Sequence, residues 1–272
     1  MLLKIYIMAQ KGCEFNIMTW NVDSFVDESY KNRLKQINHY NTWDILVLVE
    51  AGFTRTEEFI KTINKDYNDI YDYINVTKPF PIGNTEQGIS IIWNKNNFKK
   101  INESSFTRKR NRENFANGLV TLEDNNSKKM ITLIGIHLKS WPCNGPNHTN
   151  TRLEQIDAIK RNYEFYKNDN PEISDSSLII TGDFNHPLYV PGNNPVEIIK
   201  SKYKLNNVFE DENYYHPNNT TMNNQEWLVD YMLVSDDISR ELAIPTTYEY
   251  YPNCNDEYNS DHYPLFAKLK IV

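Results

Sequence analysis

The sequence predicts a single α/β domain rich in strands, and three observations support this prediction. The chain has 272 residues, and sandwich folds often form a single domain of about 250 residues. Hydrophobic residues make up 39% and charged residues 24%, close to ordinary globular usage. The 18 Tyr and 12 Phe suit half-buried strands. We expect one domain at residues 14–272, preceded by an arm or strand at 1–13.

Short apolar runs bounded by turn residues predict the strands. Several are solidly apolar and others alternate with period two, as strands do. The runs lie at 15–20, 45–49, 89–93, 119–122, 131–138, 178–181, 228–234 and 265–271. All are far shorter than the roughly 20 apolar residues that cross a bilayer. We therefore expect no transmembrane segment.

Three segments have helical patterns, at about 27–40, 54–65 and 151–167. The last is the clearest, because its apolar residues fall at three- and four-residue steps on one face. That face consists of Leu153, Ile156, Ile159, Tyr163 and Tyr166. The connections at 141–150 and 206–225 are long, polar and rich in Asn and Pro. Loops of this kind often carry binding sites.

The charge and the cysteines restrict the class of protein. A net charge of −7 argues against non-specific coating of nucleic acid, which depends on Lys and Arg. A nuclease remains possible, because metal-binding carboxylates add negative charge and the bound ion reverses it locally. Cys13, Cys143 and Cys254 are odd in number and widely spaced, which indicates neither a disulfide framework nor a zinc site. With no recognisable signal sequence, we expect an intracellular protein of the cytoplasm or nucleus.

Polar residues lie at the ends of five of the predicted strands. Because the strands of a sandwich bring their ends to a shared edge, we expect these side chains to form one site. Asn, Glu and Asp oxygens without a thiolate are the ligands that Mg²⁺ or Mn²⁺ prefers. Such an ion polarises a phosphoryl oxygen and orients a water. The residues concerned are Asn21, Asp23, Glu50, His137, Asp183, Asn185, Asp261 and His262.

The segments that contain these residues resemble, in order, the signature of the endonuclease/exonuclease/phosphatase superfamily. They are TWNVD at 19–23, VLVE at 47–50, IHL at 136–138, GDFN at 182–185, VDY at 229–231 and SDHYP at 260–264. This superfamily includes deoxyribonuclease I, apurinic endonucleases, tyrosyl-DNA phosphodiesterases, neutral sphingomyelinases and inositol-polyphosphate phosphatases. The resemblance covers residues 15–271. It implies a four-layer α/β/β/α sandwich, with two mainly antiparallel or mixed sheets face to face and helices outside.

The resemblance also implies a phosphodiesterase that depends on Mg²⁺, with Mn²⁺ as a substitute. Glu50 would be the principal metal ligand and Asn21 would contact the metal or the phosphate beside it. Asp261 would help to hold the metal or His262.

Catalytic roles follow from the same resemblance. Asp183 and Asn185 would position the attacking water and a phosphate oxygen. His262, oriented by Asp230, would contact the scissile phosphate or act as the base, while His137 would face the phosphate or protonate the leaving group. A carboxylate partner fixes the tautomer that a catalytic histidine needs. The sequence leaves open whether the base is a histidine or Asp183, and whether one or two metal ions bind.

Substrate contacts are predicted less directly. The run Arg108-Lys-Arg-Asn-Arg112 is either a phosphate-binding patch, through Arg108, Arg110 and Arg112, or a solvated charge run. Trp141, in a polar stretch, is a candidate for stacking on a base, and Asp23 is a further substrate-binding candidate.

The leading functional hypothesis is a monomeric nuclease or repair phosphodiesterase acting on nucleic acid. A sphingomyelinase or other phospholipid or small-molecule phosphodiesterase is the alternative. A catalytically inactive binding module on the same scaffold is a further alternative.

Two departures from the family pattern bear on which branch of the superfamily the chain resembles. Val49 precedes Glu50 where many relatives have Gln, and the Pro that several DNA-repair relatives place soon after this Glu is missing.

Overall fold

The computed structural model describes residues 12–22, 43–66, 68–77, 88–110, 113–139, 146–186, 194–209, 229–245, 262 and 264–272. Within these ranges the chain forms two six-stranded sheets and three α-helices. The strands are β1 (Cys13–Asn21), β2 (Ile45–Val49), β3 (Tyr71–Thr77), β4 (Gly88–Asn94), β5 (Phe98–Arg110), β6 (Glu113–Asp124), β7 (Met130–His137), β8 (Ser177–Asp183), β9 (Leu205–Asn207), β10 (Asp230–Ser235), β11 (Ile238–Pro245) and β12 (Leu265–Ile271). The helices are α1 (Phe53–Asp66), α2 (Pro146–Asp169) and α3 (Pro195–Tyr203).

Each sheet has one parallel pair of strands at its centre. The first sheet has the order β11-β12-β1-β2-β4-β3, and the second has the order β5-β6-β7-β8-β10-β9. The pairs β1–β2 and β7–β8 are parallel, and the other pairs are antiparallel. Parallel neighbours end at the same edge, so each sheet presents two adjacent strand ends there.

Alternating side chains divide the protein into four layers. One set of inward residues, which includes Ile17, Val47, Leu133 and Ile179, fills the space between the sheets. On the outer face of the first sheet, Trp20 and its neighbours pack against α1. On the outer face of the second sheet, a further cluster packs against α2 and α3. This is the predicted α/β/β/α sandwich.

Most predicted elements are present. The eight predicted strands correspond to β1, β2, β4, β6, β7, β8, β10 and β12. The predicted helices at 54–65 and 151–167 are α1 and α2, and on α2 the residues Ile156, Ile159, Tyr163 and Tyr166 are buried as expected. The predicted helix at 27–40 lies outside the described residues.

Two predicted loops need correction. The segment 141–150 is not a loop throughout, because α2 already begins at Pro146, where proline suits a first helical turn. The segment 206–225 begins within β9, whose Asn206 and Asn207 pair with β10. Among the helices that the structure describes, none is long and apolar enough to cross a membrane.

Candidate active site

The parallel strand pairs bring polar side chains from both sheets to one end of the sandwich. Asn21 is the last residue of β1, and Glu50 directly follows β2. In the second sheet His137 ends β7 and lies in register with Asp183, which ends β8. Asp230 begins the antiparallel strand β10 and is also in register with Asp183. Residues from five separate parts of the chain therefore meet at one edge.

An amide links the two sheets across this edge. Nδ2 of Asn21 donates to Oε1 of Glu50 at 3.3 Å and to Oδ2 of Asp183 at 3.1 Å. Asn21 and Asp183 are buried, whereas 17% of the Glu50 side chain is exposed. The Glu50 carboxylate therefore retains access to solvent.

Asp183 lies at the centre of the site. Its Oδ1 accepts the backbone N–H of Asn185 at 2.7 Å, and its Oδ2 accepts Nδ2 of Asn185 at 2.9 Å. The pKa of Asp183 is raised to about 8, mainly by burial and also by the neighbouring carboxylates of Asp230 and Glu50, while His262 and the Asn185 N–H oppose the rise. Burial and like charges both disfavour the ionised carboxyl. A cation among these oxygens would relieve that cost.

His262 forms a pair with Asp230 beside this carboxylate. Nδ1 of His262 lies 2.7 Å from Oδ2 of Asp230, and Nε2 lies 3.8 Å from Oδ2 of Asp183. The indole N–H of Trp20 donates to the backbone oxygen of His262 at 2.9 Å. The imidazole is thus held at Nδ1 and at its own backbone, and Nε2 is directed towards the centre of the site.

His137 approaches the same carboxylates from the second sheet. Its Nε2 lies 3.4 Å from Oε1 of Glu50 and 3.8 Å from Oδ2 of Asp183. Two imidazole Nε2 atoms therefore lie at equal distances from one carboxylate oxygen. This arrangement places two groups that can accept or donate a proton beside the same carboxylate.

Two site residues have an unusual backbone conformation. Glu50 and Asn185 have φ angles of +58° and +51°, in the left-handed region that is uncommon for residues other than glycine. Such conformations persist where the surrounding structure holds them, and they cluster at functional sites. Here they turn the chain at the end of β2 and just after β8, where the polar groups are needed.

The donor set fits a hard divalent cation. Glu50 and Asp183 both lie within hydrogen-bond distance of Nδ2 of Asn21 and offer carboxylate oxygens, which are ligands of Mg²⁺ and Mn²⁺. Asp183, Asp230 and His262 form a second group whose ligand atoms lie within 4.8 Å of one another. In that group the His262–Asp230 contact is a hydrogen bond, and both carboxylates are buried. Glu50 reaches solvent and is therefore the more accessible ligand.

Seven of the residues selected from the sequence lie together in this site. They are Asn21, Glu50, His137, Asp183, Asn185, Asp230 and His262. Asp23, Arg112, Trp141 and Asp261 lie outside the described residues. Arg108 and Arg110 belong to β5, and at these two positions the structure describes the backbone.

Trp20, next to the end of β1, is buried in the core. Its hydrogen bond to the His262 backbone was missed. No signal near Trp20 in the chain could have indicated a partner 242 residues away.

Two stacked sheets thus bring carboxylates, an amide and histidines together at one end of the molecule. The sequence model of the Endonuclease/Exonuclease/phosphatase family matches residues 18–245, and the chain belongs to this family. Members of the family are hydrolases that act on phosphodiesters and phosphate esters. No curated protein matches the sequence.

Solved structures share the fold at low sequence identity. The human Nocturnin catalytic domain with bound sulfate is 18% identical, with a TM-score of 0.73 and coverage of 97% of this chain and 96% of that one. ANGEL2, a 2′,3′-cyclic phosphatase in complex with adenosine-2′,3′-vanadate, is 14% identical, with a TM-score of 0.74 and coverage of 96% of both chains. The Bacteroides thetaiotaomicron mannosyl-6-phosphatase Bt3783 is 16% identical, with a TM-score of 0.67 and coverage of 94% of this chain and 99% of that one.

Proposed function

We propose that the protein is a Mg²⁺-dependent phosphodiesterase that hydrolyses nucleic acid. The observation that carries this proposal is the His262–Asp230 pair, which faces Asp183 at the edge where Asn21 and Glu50 also converge. A hydrolase needs a base for water, an electrophilic partner for the phosphate and a group for the leaving oxygen. This cluster supplies candidates for all three roles.

Glu50 and Asn21 would hold the metal ion, with Asp261 as a third ligand outside the described residues. When bound, the ion supplies Lewis-acid polarisation of the phosphoryl oxygen. Glu50 suits this role because its carboxylate is anchored by Asn21 and still reaches solvent. Mn²⁺ would substitute, since it takes the same oxygen donors.

His262 acts as the general base. The hydrogen bond from Nδ1 to Asp230 keeps the proton on that nitrogen, so Nε2 presents its lone pair to a water. Asp183 Oδ2 already accepts from the amides of Asn21 and Asn185. Asp183 therefore orients these amides and the attacking water rather than taking the proton itself.

His137 serves the opposite side of the reacting phosphate. Its Nε2 lies 3.4 Å from Oε1 of Glu50 and 3.8 Å from Oδ2 of Asp183, so the ring faces the centre of the site. A protonated His137 stabilises the negative charge of the phosphate or delivers a proton to the leaving oxygen.

The β5–β6 hairpin supports nucleic acid as the substrate. The last pair that joins β6 to β7 is Gly118 with Gly135, but β6 goes on pairing with β5 as far as Glu113 with Arg110. This extension runs in the direction in which β7 ends at His137. It carries the basic run that begins at Arg108, and phosphate backbones bind such runs by charge neutralisation. Arg108, Arg110 and Arg112 are therefore proposed as backbone contacts, with Trp141 and Asp23 as further substrate contacts.

A substrate panel tests the proposal. The purified protein is assayed with Mg²⁺, Mn²⁺ or EDTA on duplex, single-stranded, abasic and 5′-tyrosyl DNA, RNA, sphingomyelin and bis(p-nitrophenyl) phosphate. We expect metal-dependent cleavage of at least one nucleic acid and loss of most activity in His262→Ala and Asp183→Ala, with the fold retained by circular dichroism. Cleavage of sphingomyelin alone would refute the nucleic-acid assignment. Full turnover in both variants would refute the assigned roles.

A further inference from the structure

The two residues that follow His137 have all of their backbone polar groups bonded. The N–H of Leu138 donates to the carbonyl of Asp183 at 2.9 Å, and its carbonyl accepts Nδ2 of Asn185 at 3.0 Å. The N–H of Lys139 donates to Oε1 of Gln155 at 2.9 Å, and its carbonyl accepts Nε of Arg152 at 2.8 Å. An irregular segment next to the site is therefore held at four points.

Two of these four anchors are side chains of α2. Arg152 and Gln155 are three residues apart, a spacing that places both on one face of a helix. Their exposed fractions are only 1% and 7%, although Arg and Gln are mostly exposed in proteins. Burying such groups costs free energy unless they are bonded. Their burial therefore points to a task at the Lys139 backbone rather than to core packing alone.

The other two anchors belong to the catalytic cluster itself. Nδ2 of Asn185 bonds both the carbonyl of Leu138 and Oδ2 of Asp183. A shift of the Leu138–Lys139 backbone would move one acceptor of Asn185 and would also pull on the adjacent His137. The Lys139 backbone is thus linked to three site residues. His137 is two positions before it in the chain, and the intervening Leu138 is bonded to Asp183 and Asn185.

We propose that Arg152 and Gln155 are positioning residues, which set the placement of His137 and Asn185 by fixing the backbone of Lys139. The inference rests on the proposed function, because it assigns α2 a role in the same reaction. Neither side chain touches the reacting atoms. Their effect on catalysis is exerted through geometry, and displacements of about 1 Å can lower rates about 100-fold.

Substitutions at Gln155 separate this role from simple packing. Gln155→Met keeps the length of the side chain but removes the acceptor of the Lys139 N–H, whereas Gln155→Glu retains an acceptor oxygen. Lys160→Met introduces the same side chain at a partly exposed position of α2 that pairs with Glu164, and it is the control. With bis(p-nitrophenyl) phosphate and Mg²⁺, we expect Gln155→Met to lower kcat about 10- to 100-fold with KM nearly unchanged. Gln155→Glu should recover most of kcat, and Lys160→Met should match wild type.

A double-mutant cycle with Asn185→Ala identifies the route of the effect. If Gln155 acts through the Leu138–Asn185 contact, Gln155→Met in the Asn185→Ala background lowers kcat by much less than it does alone. Amide hydrogen exchange gives a readout that does not depend on turnover, because loss of the acceptor should accelerate exchange at Lys139. Arg152→Met and Arg152→Lys provide the same comparison at the carbonyl, should Gln155→Met fail to fold.

The outcomes distinguish this inference from the proposed function. Unchanged kcat in Gln155→Met, or effects that simply multiply in the cycle, would overturn the positioning role while wild-type activity stands. A wild-type protein that turns over no substrate of the panel would instead refute the proposed function. Unchanged exchange at Lys139 would show that Gln155 does not anchor this backbone.

Discussion

Nδ1 of His262 and Oδ2 of Asp230 lie 2.7 Å apart, although the two residues are 32 positions apart in the chain. Asp230 begins β10 in the second sheet, whereas His262 lies shortly before β12 in the first sheet. The pair therefore forms only when the two sheets are packed. It also fixes which nitrogen of the imidazole faces Asp183.

Asp230→Asn is expected to disable this pair without altering its shape. The amide is a poorer partner for the Nδ1 proton, so the tautomer with Nε2 free is no longer favoured. We expect kcat to fall by about 10²- to 10⁴-fold, the contribution typical of a positioned acid–base group, with little change in KM. Steady-state kinetics on bis(p-nitrophenyl) phosphate measures this, with Asp236→Asn, at an exposed position after β10, as the control. Equal loss in both variants would argue against a specific role.

Mg²⁺ is expected to stabilise the folded protein through Glu50. A ligand that binds only the folded state at about 100 times its Kd adds about 2.7 kcal/mol of stability. Thermal unfolding with Mg²⁺ and with EDTA should show a clear rise in Tm for wild type. Glu50→Gln should lose most of that rise, whereas Glu57→Gln, on α1 in a pair with Lys61, should keep it. A full Mg²⁺ effect in Glu50→Gln would place the ion elsewhere.

Gly182→Ala is expected to be strongly destabilising. Gly182 has φ +134°, and an added Cβ would lie 2.1 Å from the backbone oxygen of Ile136. Neither β7 nor β8 can move away without displacing His137 or Asp183. We expect a loss of about 2–4 kcal/mol in the free energy of unfolding, measured by urea denaturation.

Gly118→Ala is the matched control for this substitution. At Gly118 the nearest atoms to an added Cβ are side-chain carbons at 3.5 Å or beyond, which is ordinary contact. This variant should be close to wild type in stability. Similar losses in both variants would show that any glycine in these strands is needed, whatever its backbone conformation.

Arg108→Gln with Arg110→Gln is expected to weaken nucleic-acid binding but not the hydrolysis of small diesters. KM for a nucleic-acid substrate should rise, and its dependence on salt should become less steep because fewer counterions are released. Lys99→Gln is the control, since Lys99 lies at the opposite end of the same strand and pairs with Glu123 of β6. Unchanged KM and salt dependence would assign the basic run to a solvated surface.

Cys13 is expected to resist thiol reagents in the folded protein. Burial raises the pKa of Cys13 to about 12, and the nearby Asp124 contributes to the rise. The folded state therefore favours the protonated thiol, and this contribution to stability is lost as pH rises from about 9 towards 12. Because only the thiolate reacts, Cys13→Ser should not change the number of thiols that react rapidly in the folded protein at pH 8. In guanidinium chloride, Cys13→Ser should lower the number of reactive thiols by one. If the substitution also removes one rapidly reacting thiol from the native protein, Cys13 is not buried as described.

The strands that the sequence did not predict are the four edge strands of the two sheets. β3, β5, β9 and β11 each pair on one side only. An edge strand has less buried surface and tolerates polar residues, so β5 begins with Phe-Lys-Lys-Ile-Asn-Glu and lacks an apolar run. The eight interior strands bury nearly all their side chains and were therefore recognisable. Hydrophobic patterning thus detects the interior of a sheet better than its borders.

The helix α3 was missed although the sequence carries a start signal. Asn194 caps the helix by accepting the Val196 N–H, and Pro195 occupies the first turn. Asn followed by Pro at this point is a helix start. The apolar face has only nine residues in which to appear, so the capping chemistry was the better guide.

The residues of the candidate site could be selected from the sequence, whereas the residues that hold the neighbouring backbone could not. Seven catalytic and metal-binding candidates follow from ordered motifs at strand ends, because their chemistry constrains residue type. Arg152 and Gln155 have no such signature, since their significance lies in a contact with the Lys139 backbone. Support of this kind depends on the packing of α2 against the second sheet and is visible only in three dimensions.

The division of the polar groups between the two sheets has a consequence for how substrate preference can change. Asn21 and Glu50 come from one sheet, and His137, Asp183 and Asp230 come from the other. A displacement of one sheet relative to the other would separate these partners, so the relative position of the two sheets is tightly constrained. The part of the β5–β6 pair that continues beyond β7 contributes none of these partners. New specificities can therefore arise at the rim while the stacked interior stays fixed.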